Sequence, residues 1–302
     1  LRRKTMAEIL YGNEVAASLE AKLKDDIASL KARGVTPGLA IIRATGSRPI
    51  LSYENNAASR AGRLGISVFR YSFPETADKD ELIAAVEEIN SDRNIHGCIM
   101  LRPLPGELRA SEKEISNRLI PEKDIDCMTD ISFGGVFTGK NTGFPPCTPQ
   151  AVIELLDHYG IPIERKKAVV IGRSLIVGRP AALMLLNRNA TVTLCHSRTC
   201  DLRSITRQAD IIVSAAGCPG LLTKDHVSPG QVIVDVSTTW DENKPNGHGG
   251  FGTFTGDAAF DEVAPVVGAI TPVPGGIGMI TIYVLFKHLV EAAGNMSPES
   301  FS

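Results

Sequence analysis

The sequence predicts an α/β protein of two domains, each built on a parallel sheet with helices packed over it. The chain has 302 residues, more than one small hydrophobic core organises well. Short β-rich runs alternate with amphipathic helical stretches between residues 12 and 101, and again between 168 and 236. Each strand must then return through a helix, which makes neighbouring strands parallel. The third observation is Ala-Val-Val-Ile-Gly-Arg-Ser-Leu-Ile-Val-Gly-Arg-Pro at 168–180, where an apolar strand ends at Gly172 and a helix opens at Gly178.

Taken in order, Val15, Leu19, Leu23, Ile27 and Leu30 fall at helical spacing over 12–33, closed by Gly34 and Pro37. Leu39–Arg43 reads as a buried strand, Tyr53–Leu64 as a helix stopped by Gly65, and Ile66–Tyr71 as the next strand. Lys79–Asn90 is a helix and Ile95–Leu101 a strand, ended by Arg102-Pro103-Leu104-Pro105-Gly106 because proline cannot continue a ladder. The Gly-, Pro- and Thr-rich segment 134–149 reads as the crossing between domains. Thr148 then caps a helix with Pro149 at its first position, running over Ala151–Tyr159.

The second domain repeats the pattern, with strands at Ala168–Gly172, Thr191–Cys195, Ile211–Ala215 and Gln231–Val236. Its helices are expected at 179–187 and 202–208, and a last helical stretch, Met279–Ala293, follows the loop Thr271–Gly278. The domain boundaries set by this pattern are 1–147 and 148–279.

The composition is 43% hydrophobic and 22% charged with net charge −2, so no basic face for nucleic acid is expected. Apolar runs such as Ile277–Phe286 are too short and interrupted to span a bilayer, so no membrane association is expected. The basic opening Leu1-Arg2-Arg3-Lys4-Thr5 has no apolar stretch behind it, so no signal peptide is expected, and Met6 is a candidate natural start. The six cysteines include no C-x-x-C pair and read as free thiols in a reducing cytoplasm, with no metal site.

A strand, a glycine turn and a helix N-terminus together make a cradle for a dinucleotide pyrophosphate, because unpaired N–H groups and the helix dipole face the phosphate. The spacing here is G-x5-G rather than the regular G-x-G-x-x-G. The next strand ends Cys195-His196-Ser197-Arg198-Thr199 with no carboxylate to bind a ribose hydroxyl, and Arg173 lies in the turn itself. Basic and hydroxyl groups there suit the 2′-phosphate of NADP over NAD. The loop Thr271-Pro272-Val273-Pro274-Gly275-Gly276-Ile277-Gly278 combines fixed proline turns with glycines against which a flat ligand can lie.

These blocks, with Pro145-Pro146-Cys147-Thr148-Pro149, Lys123-Asp124-Ile125-Asp126 and Ala190-Thr191-Val192-Thr193, resemble the bifunctional methylenetetrahydrofolate dehydrogenase/cyclohydrolases across essentially the whole chain. The resemblance implies an N-terminal catalytic domain, a C-terminal Rossmann-type NADP-binding domain, a folate in the cleft between them, and a homodimer. It also implies that segment 280–302 returns to the first domain. Carried over by position, Tyr53 stacks on the pterin, Asp126 anchors its amino-pyrimidine edge, and Leu101, Pro272 and Gly276 line the folate slot. Gly172, Arg173, Ser174, Ile176, Val177, Gly178 and Ser197 hold the cofactor, and Thr238 approaches the nicotinamide.

The sequence departs from the family pattern at two linked places. The family's Tyr-x-x-x-Lys appears as Tyr53-Glu54-Asn55-Asn56-Ala57, and Leu101 stands where a glutamine partners that lysine. Losing both members of a hydrogen-bonded pair costs less than orphaning one. The expectation is a retained dehydrogenase, which needs positioning of two flat ligands, and a weakened cyclohydrolase, which needs proton transfers. Arg43 and Arg102, at strand ends, are expected to supply charge for a substrate tail or for electrostatics rather than act as a base. Met279 replaces a family proline. A retired folate- or NADP-binding protein, or an unrelated NADP dehydrogenase sharing only the second domain, are the other readings.

Overall fold

A computed structural model describes residues 7–140, 142–245 and 250–296, so Met6, the basic opening and the last residues of segment 280–302 lie outside the described residues. The described chain opens with the short strand β1 (Glu8–Ile9) and α1 (Gly12–Ala32). There follow β2 (Gly38–Arg43), α2 (Arg48–Leu64), β3 (Ser67–Ser72), α3 (Lys79–Ser91), β4 (Gly97–Met100), α4 (Leu108–Ser116) and α5 (Asp130–Thr138). The chain divides into two compact units, one of Ser18–Cys147 with Ile282–Ser302, the other of Leu1–Ala17 with Thr148–Thr281.

In the first unit β2 is central, in the order β3-β2-β4 with both pairings parallel. Leu39, Ile41 and Ile42 are almost fully buried, as a strand covered on both faces requires. Asp78 closes α3 with a reciprocal capping box to Glu81, and Gly65 ends α2 in the left-handed conformation at φ +79°. A side chain at Gly97 would run into Ile125 and Leu289, so the glycine lets the last helix close on β4.

The other unit continues with α6 (Cys147–His158), β5 (Lys167–Ile171), α7 (Gly178–Asn187), β6 (Thr191–Cys195), α8 (Leu202–Thr206), β7 (Ile211–Ser214) and β8 (Val232–Asp235). It ends with β9 (Thr239–Pro245), β10 (Phe251–Thr255), α9 (Phe260–Val263), β11 (Ala269–Ile270) and the start of α10 (Thr281–Asn295). Its parallel sheet runs β1-β11-β8-β7-β5-β6, and β9 and β10 form a separate antiparallel hairpin.

Several sequence expectations are corrected. The opening of the chain does not belong wholly to the first domain, because β1 pairs with β11. Segment 134–149 is not all crossing: α5 covers its start, capped by Thr129, and Gly135 sits where the Thr142 carbonyl comes too close for any side chain. Thr148 lies inside α6 rather than capping it, and Pro149 still falls in the first turn, where its missing N–H costs nothing. α2 begins at Arg48, five residues before Tyr53.

Arg43 and Glu54 are coupled. Glu54 is buried in α2, with Arg43 Nε 2.7 Å and Arg70 Nε 3.3 Å from its carboxylate. Arg43 Nη1 also donates to the Thr45 carbonyl at 3.3 Å. The expectation that Arg43 offers free charge to a substrate therefore fails, because its guanidinium neutralises a buried carboxylate. The contact between Arg43 Nε and Glu54 Oε2 lacks hydrogen-bond alignment, so it holds through charge. Replacing Glu54 by glutamine is expected to cost about 3 kcal/mol in urea unfolding, whereas the double change R43M/E54L recovers most of that loss.

Candidate active site

In a parallel sheet all strands end on one edge, where ligands bind in open α/β folds. On that edge of the β1-to-β6 sheet, Gly172 N donates to the Cys195 carbonyl at 2.9 Å and Ala215 N to the Ile171 carbonyl at 2.7 Å. Val236 N donates to the Ser214 carbonyl at 2.9 Å, and Thr271 N to the Ile233 carbonyl at 3.0 Å. The glycine turn, the Cys195–Ser197 end, loop 215–218, Ser237–Thr238 and the Pro272–Gly276 loop are thus set side by side.

Gly172 has φ +114°, and a side chain there would strike the Ala215 carbonyl. One at Gly178 would strike the Gly172 carbonyl, so both glycines are required by close backbone approach. Ser174 Oγ accepts from Val177 N at 3.1 Å and Gly178 N at 3.3 Å, helping to cap α7 while its hydroxyl proton stays available. Leu175 and Ile176 are left exposed, an apolar crest beside the cradle. After β6, His196 N donates to Thr199 Oγ1 at 2.8 Å and Arg198 N to His196 Nδ1 at 3.1 Å. This tight turn leaves Ser197 and Arg198 pointing outward. Arg173 and Arg198 are exposed and carry no ion pair among the described residues. At the far end, the Gly12 N–H donates to the Gly275 carbonyl at 2.8 Å, and Gly276 is packed too closely on Pro272 to bear a side chain.

In the other unit the structure brings Tyr53 and Asp126 together. Tyr53 is half-exposed on α2, and its phenol is pushed well above the usual value by burial, then by the Asp126 charge. Asp126 Oδ1 accepts from Cys147 N at 3.3 Å. Burial raises the Asp126 pKa, against the Cys147 hydrogen bond and the Arg102 guanidinium, which lower it. Asp124 plays a different part: buried, it accepts from Met128 N at 2.7 Å and Thr129 N at 2.9 Å, fixing the turn that presents Asp126. The Ile125 carbonyl accepts from His288 Nδ1 of α10 at 2.9 Å, anchoring the same segment from behind. Lys123 is equally committed, its Nζ donating to the carbonyls of Ile89, Asn90 and Asp92. Ala57 and Leu101 are buried, 1% and 7% exposed, so each departure is a closed apolar position.

Sequence reasoning missed two buried aspartates. Asp235 ends β8, its Oδ2 accepting from Ala258 N at 2.7 Å and its Oδ1 from Ser237 N at 3.1 Å. Asp257 is fully buried and accepts hydrogen bonds from Ser214, Ser237, Ala216 and Cys218. Their signal in the sequence is a carboxylate placed at a strand end or after glycine in otherwise apolar surroundings, Val-Asp235-Val and Gly256-Asp257-Ala-Ala.

Among known proteins, residues 10–126 match the tetrahydrofolate dehydrogenase/cyclohydrolase catalytic domain, and residues 146–297 match the NAD(P)-binding domain of the same family. The chain is 46% identical over 288 residues to the bifunctional protein FolD of Carboxydothermus hydrogenoformans, covering 95% of this chain and 97% of that protein. It is 42% identical to FolD of Alkaliphilus oremlandii, with 95% and 97% covered. The crystal structure of the bifunctional FolD of Campylobacter jejuni superposes with a TM-score of 0.87 at 38% identity, covering 96% of this chain and 99% of that one. The Trypanosoma brucei FolD, solved with NADP cofactor and an inhibitor, gives 0.87 at 33% identity, covering 96% and 98%.

The Asp235 carboxyl is pushed up to about 6 by burial and by Asp257, against the N–H groups that it accepts from. A carboxyl whose folded pKa lies above its unfolded value of 3.8 takes up a proton on folding between those values. Its contribution therefore falls as pH rises through that window. The expected outcome is that the difference in urea midpoint between D235N and the parent protein shifts in favour of D235N from pH 4 to pH 6.5, then levels off.

Proposed function

This chain belongs to the tetrahydrofolate dehydrogenase/cyclohydrolase family, and from that premise we propose that it oxidises 5,10-methylenetetrahydrofolate with NADP in one-carbon metabolism and hydrolyses the 5,10-methenyltetrahydrofolate product poorly. Bound NADP supplies the hydride acceptor. Gly172 and Gly178 let the backbone of the turn close up and shape the cradle for its pyrophosphate, the Ser174 hydroxyl donates to it, and Ile176 and Val177 pack beside it. Arg173, Ser197 and Arg198 take the 2′-phosphate, a task for which unpaired guanidinium groups are suited. Thr238, exposed beyond β8, faces the nicotinamide. By the family resemblance, Tyr53 stacks on the pterin, Asp126 accepts from its amino-pyrimidine edge, and Leu101, Pro272 and Gly276 are further folate-binding residues.

The limit on hydrolysis rests on one observation: Ala57 and Leu101 are closed, apolar positions where the family resemblance sets a lysine and its glutamine partner. Hydride removal leaves a cation that the folate's own nitrogens stabilise, and it asks of the protein chiefly alignment. Adding water to that cation and opening the ring needs proton transfers, for which a positioned base is worth about 10²–10⁴-fold. Arg102 acts on Asp126 through charge and holds its own proton too tightly to replace that base.

Purified protein supplied with methylenetetrahydrofolate and NADP is expected to build methenyl-folate absorbance, faster than with NAD; no rise with either cofactor sinks the dehydrogenase. Methenyltetrahydrofolate added alone is expected to decay near the buffer rate, and A57K/L101Q to speed that decay by about 10²-fold. Rapid decay with the parent protein would instead make this chain fully bifunctional.

By the same resemblance the working unit is a cytoplasmic homodimer. Light scattering on the eluted protein is expected to give twice the chain mass of 32.3 kDa. No described helix is long and apolar enough to cross a membrane.

A further inference from the structure

We propose that Asp257 is a positioning residue for the dinucleotide, acting through loop 215–218 and through Ser237. The proposal rests on the reading of this edge as the NADP site.

One carboxylate gathers four donors from two separate stretches of chain. Its Oδ2 accepts from Ser214 Oγ at the end of β7 at 2.6 Å, from Ala216 N at 2.8 Å and from Ser237 Oγ at 2.7 Å. Its Oδ1 accepts from Cys218 N at 2.7 Å. Ser237 relays the hold, since its Oγ in turn accepts from Gly217 N at 3.1 Å. Three successive N–H groups of one loop, at 216, 217 and 218, are therefore turned inward onto a single fixed point. The loop itself is otherwise exposed along these residues, so without that point it has little to hold it.

Asp257 is suited to be that point because its own backbone is anchored. Leu222 N donates to its carbonyl at 3.0 Å, and Ala259 N donates to the Leu222 carbonyl at 2.8 Å. Its charge is met by hydroxyls and amides alone, with no Lys, Arg or His paired to it among the described residues. Burying a carboxylate in this way is costly unless each lone pair is used, and here each bond made also fixes a piece of the ligand edge.

Both of the pieces it fixes border the cofactor cradle. Ala215, at the head of the loop, donates to Ile171 and lays its carbonyl against Gly172, which for that reason bears no side chain. Ser237 precedes Thr238, which the proposed function sets beside the nicotinamide. Asp257 thus governs two of the walls between which the dinucleotide lies, without touching it.

The test is NADPH binding to the full-length protein, followed by the enhancement of NADPH fluorescence, together with steady-state KM for each substrate. D257N keeps the shape but turns an amide towards a donor, leaving at least one N–H or hydroxyl unpaired. It is expected to weaken NADPH binding about 10-fold and to raise KM for NADP alike, with KM for folate within about 2-fold of the parent. S237A, which removes the relay to Gly217 and one of the four donors to Asp257, is expected to weaken NADPH binding by about 3-fold with KM for folate unchanged. Parent-like NADPH affinity in D257N overturns the proposal, as does an equal loss for both substrates tracking a lower Tm. Should D257N not fold, S237A decides alone, and parent-like affinity in it overturns the proposal. If the parent protein itself binds no NADPH, the cofactor reading fails instead.

Discussion

Parallel strands joined by helices all finish on the same edge of their sheet, and both units of this chain build their candidate chemistry on that constraint. In the larger sheet the order β11-β8-β7-β5-β6 makes neighbours of Thr271, Asp235, Ser214, Ile171 and Cys195, which are scattered over 100 residues of sequence. In the smaller one, β2 and β4 end side by side, so Arg43 and Leu101 are brought close although 58 residues apart in number. The edge has an inherent weakness: beyond the last ladder bond the loops have no sheet to pair with. Their N–H groups must be satisfied by side chains, and short acidic side chains at strand ends do this well. Asp124 and Asp257 each hold a loop in this manner.

Burial sorts the charged groups into those that hold the structure and those left for a ligand. Lys123 is spent on three carbonyls at the end of α3, Asp124 on two amides, and Glu54 on two arginines. Arg173 and Arg198 have no such partner among the described residues and sit at the surface beside the cradle. The contrast between Asp124 and Asp126 is sharpest, because two residues in one short motif part company. Asp124 accepts from two inward amides, while Asp126 accepts from one at 3.3 Å and keeps lone pairs for something else.

Much of this was legible in the sequence. Periodicity located most strands and helices to within a few residues, and the glycine turn with the acid-free end of β6 marked the cradle. The misses share a cause, which is that they depend on contacts far away in the chain. β1 and β11 are two-residue strands that exist only because they pair with each other and with β8. The β9–β10 hairpin has charged and polar residues where alternation would be read, with Trp240 and Phe254 meeting edge to face at 5.2 Å. α5 runs through Gly134 and Gly135, which local propensity reads as loop. Arg43 looked available because it ends a strand, and only the fold reveals that a buried Glu54 on the next helix takes its charge. Asp257 shows in the sequence only as a carboxylate after glycine among apolar residues; its meaning lies in four donors from elsewhere.

The paired loss of lysine and glutamine also has an electrostatic side. Oxidation of the methylene bridge creates a cation, and an ammonium group held beside it in a low-dielectric site would repel the product as it forms. On the proposed reading, Ala57 and Leu101, both buried and apolar, remove that repulsion, are neutral towards hydride transfer and withhold the proton relay that hydrolysis uses. The positive charges that remain nearby are accounted for: Arg43 is neutralised by Glu54, and Arg102 acts on Asp126. On the proposed reading, a site so arranged slows one reaction without penalising the other, because the two make different demands on the same few ångströms.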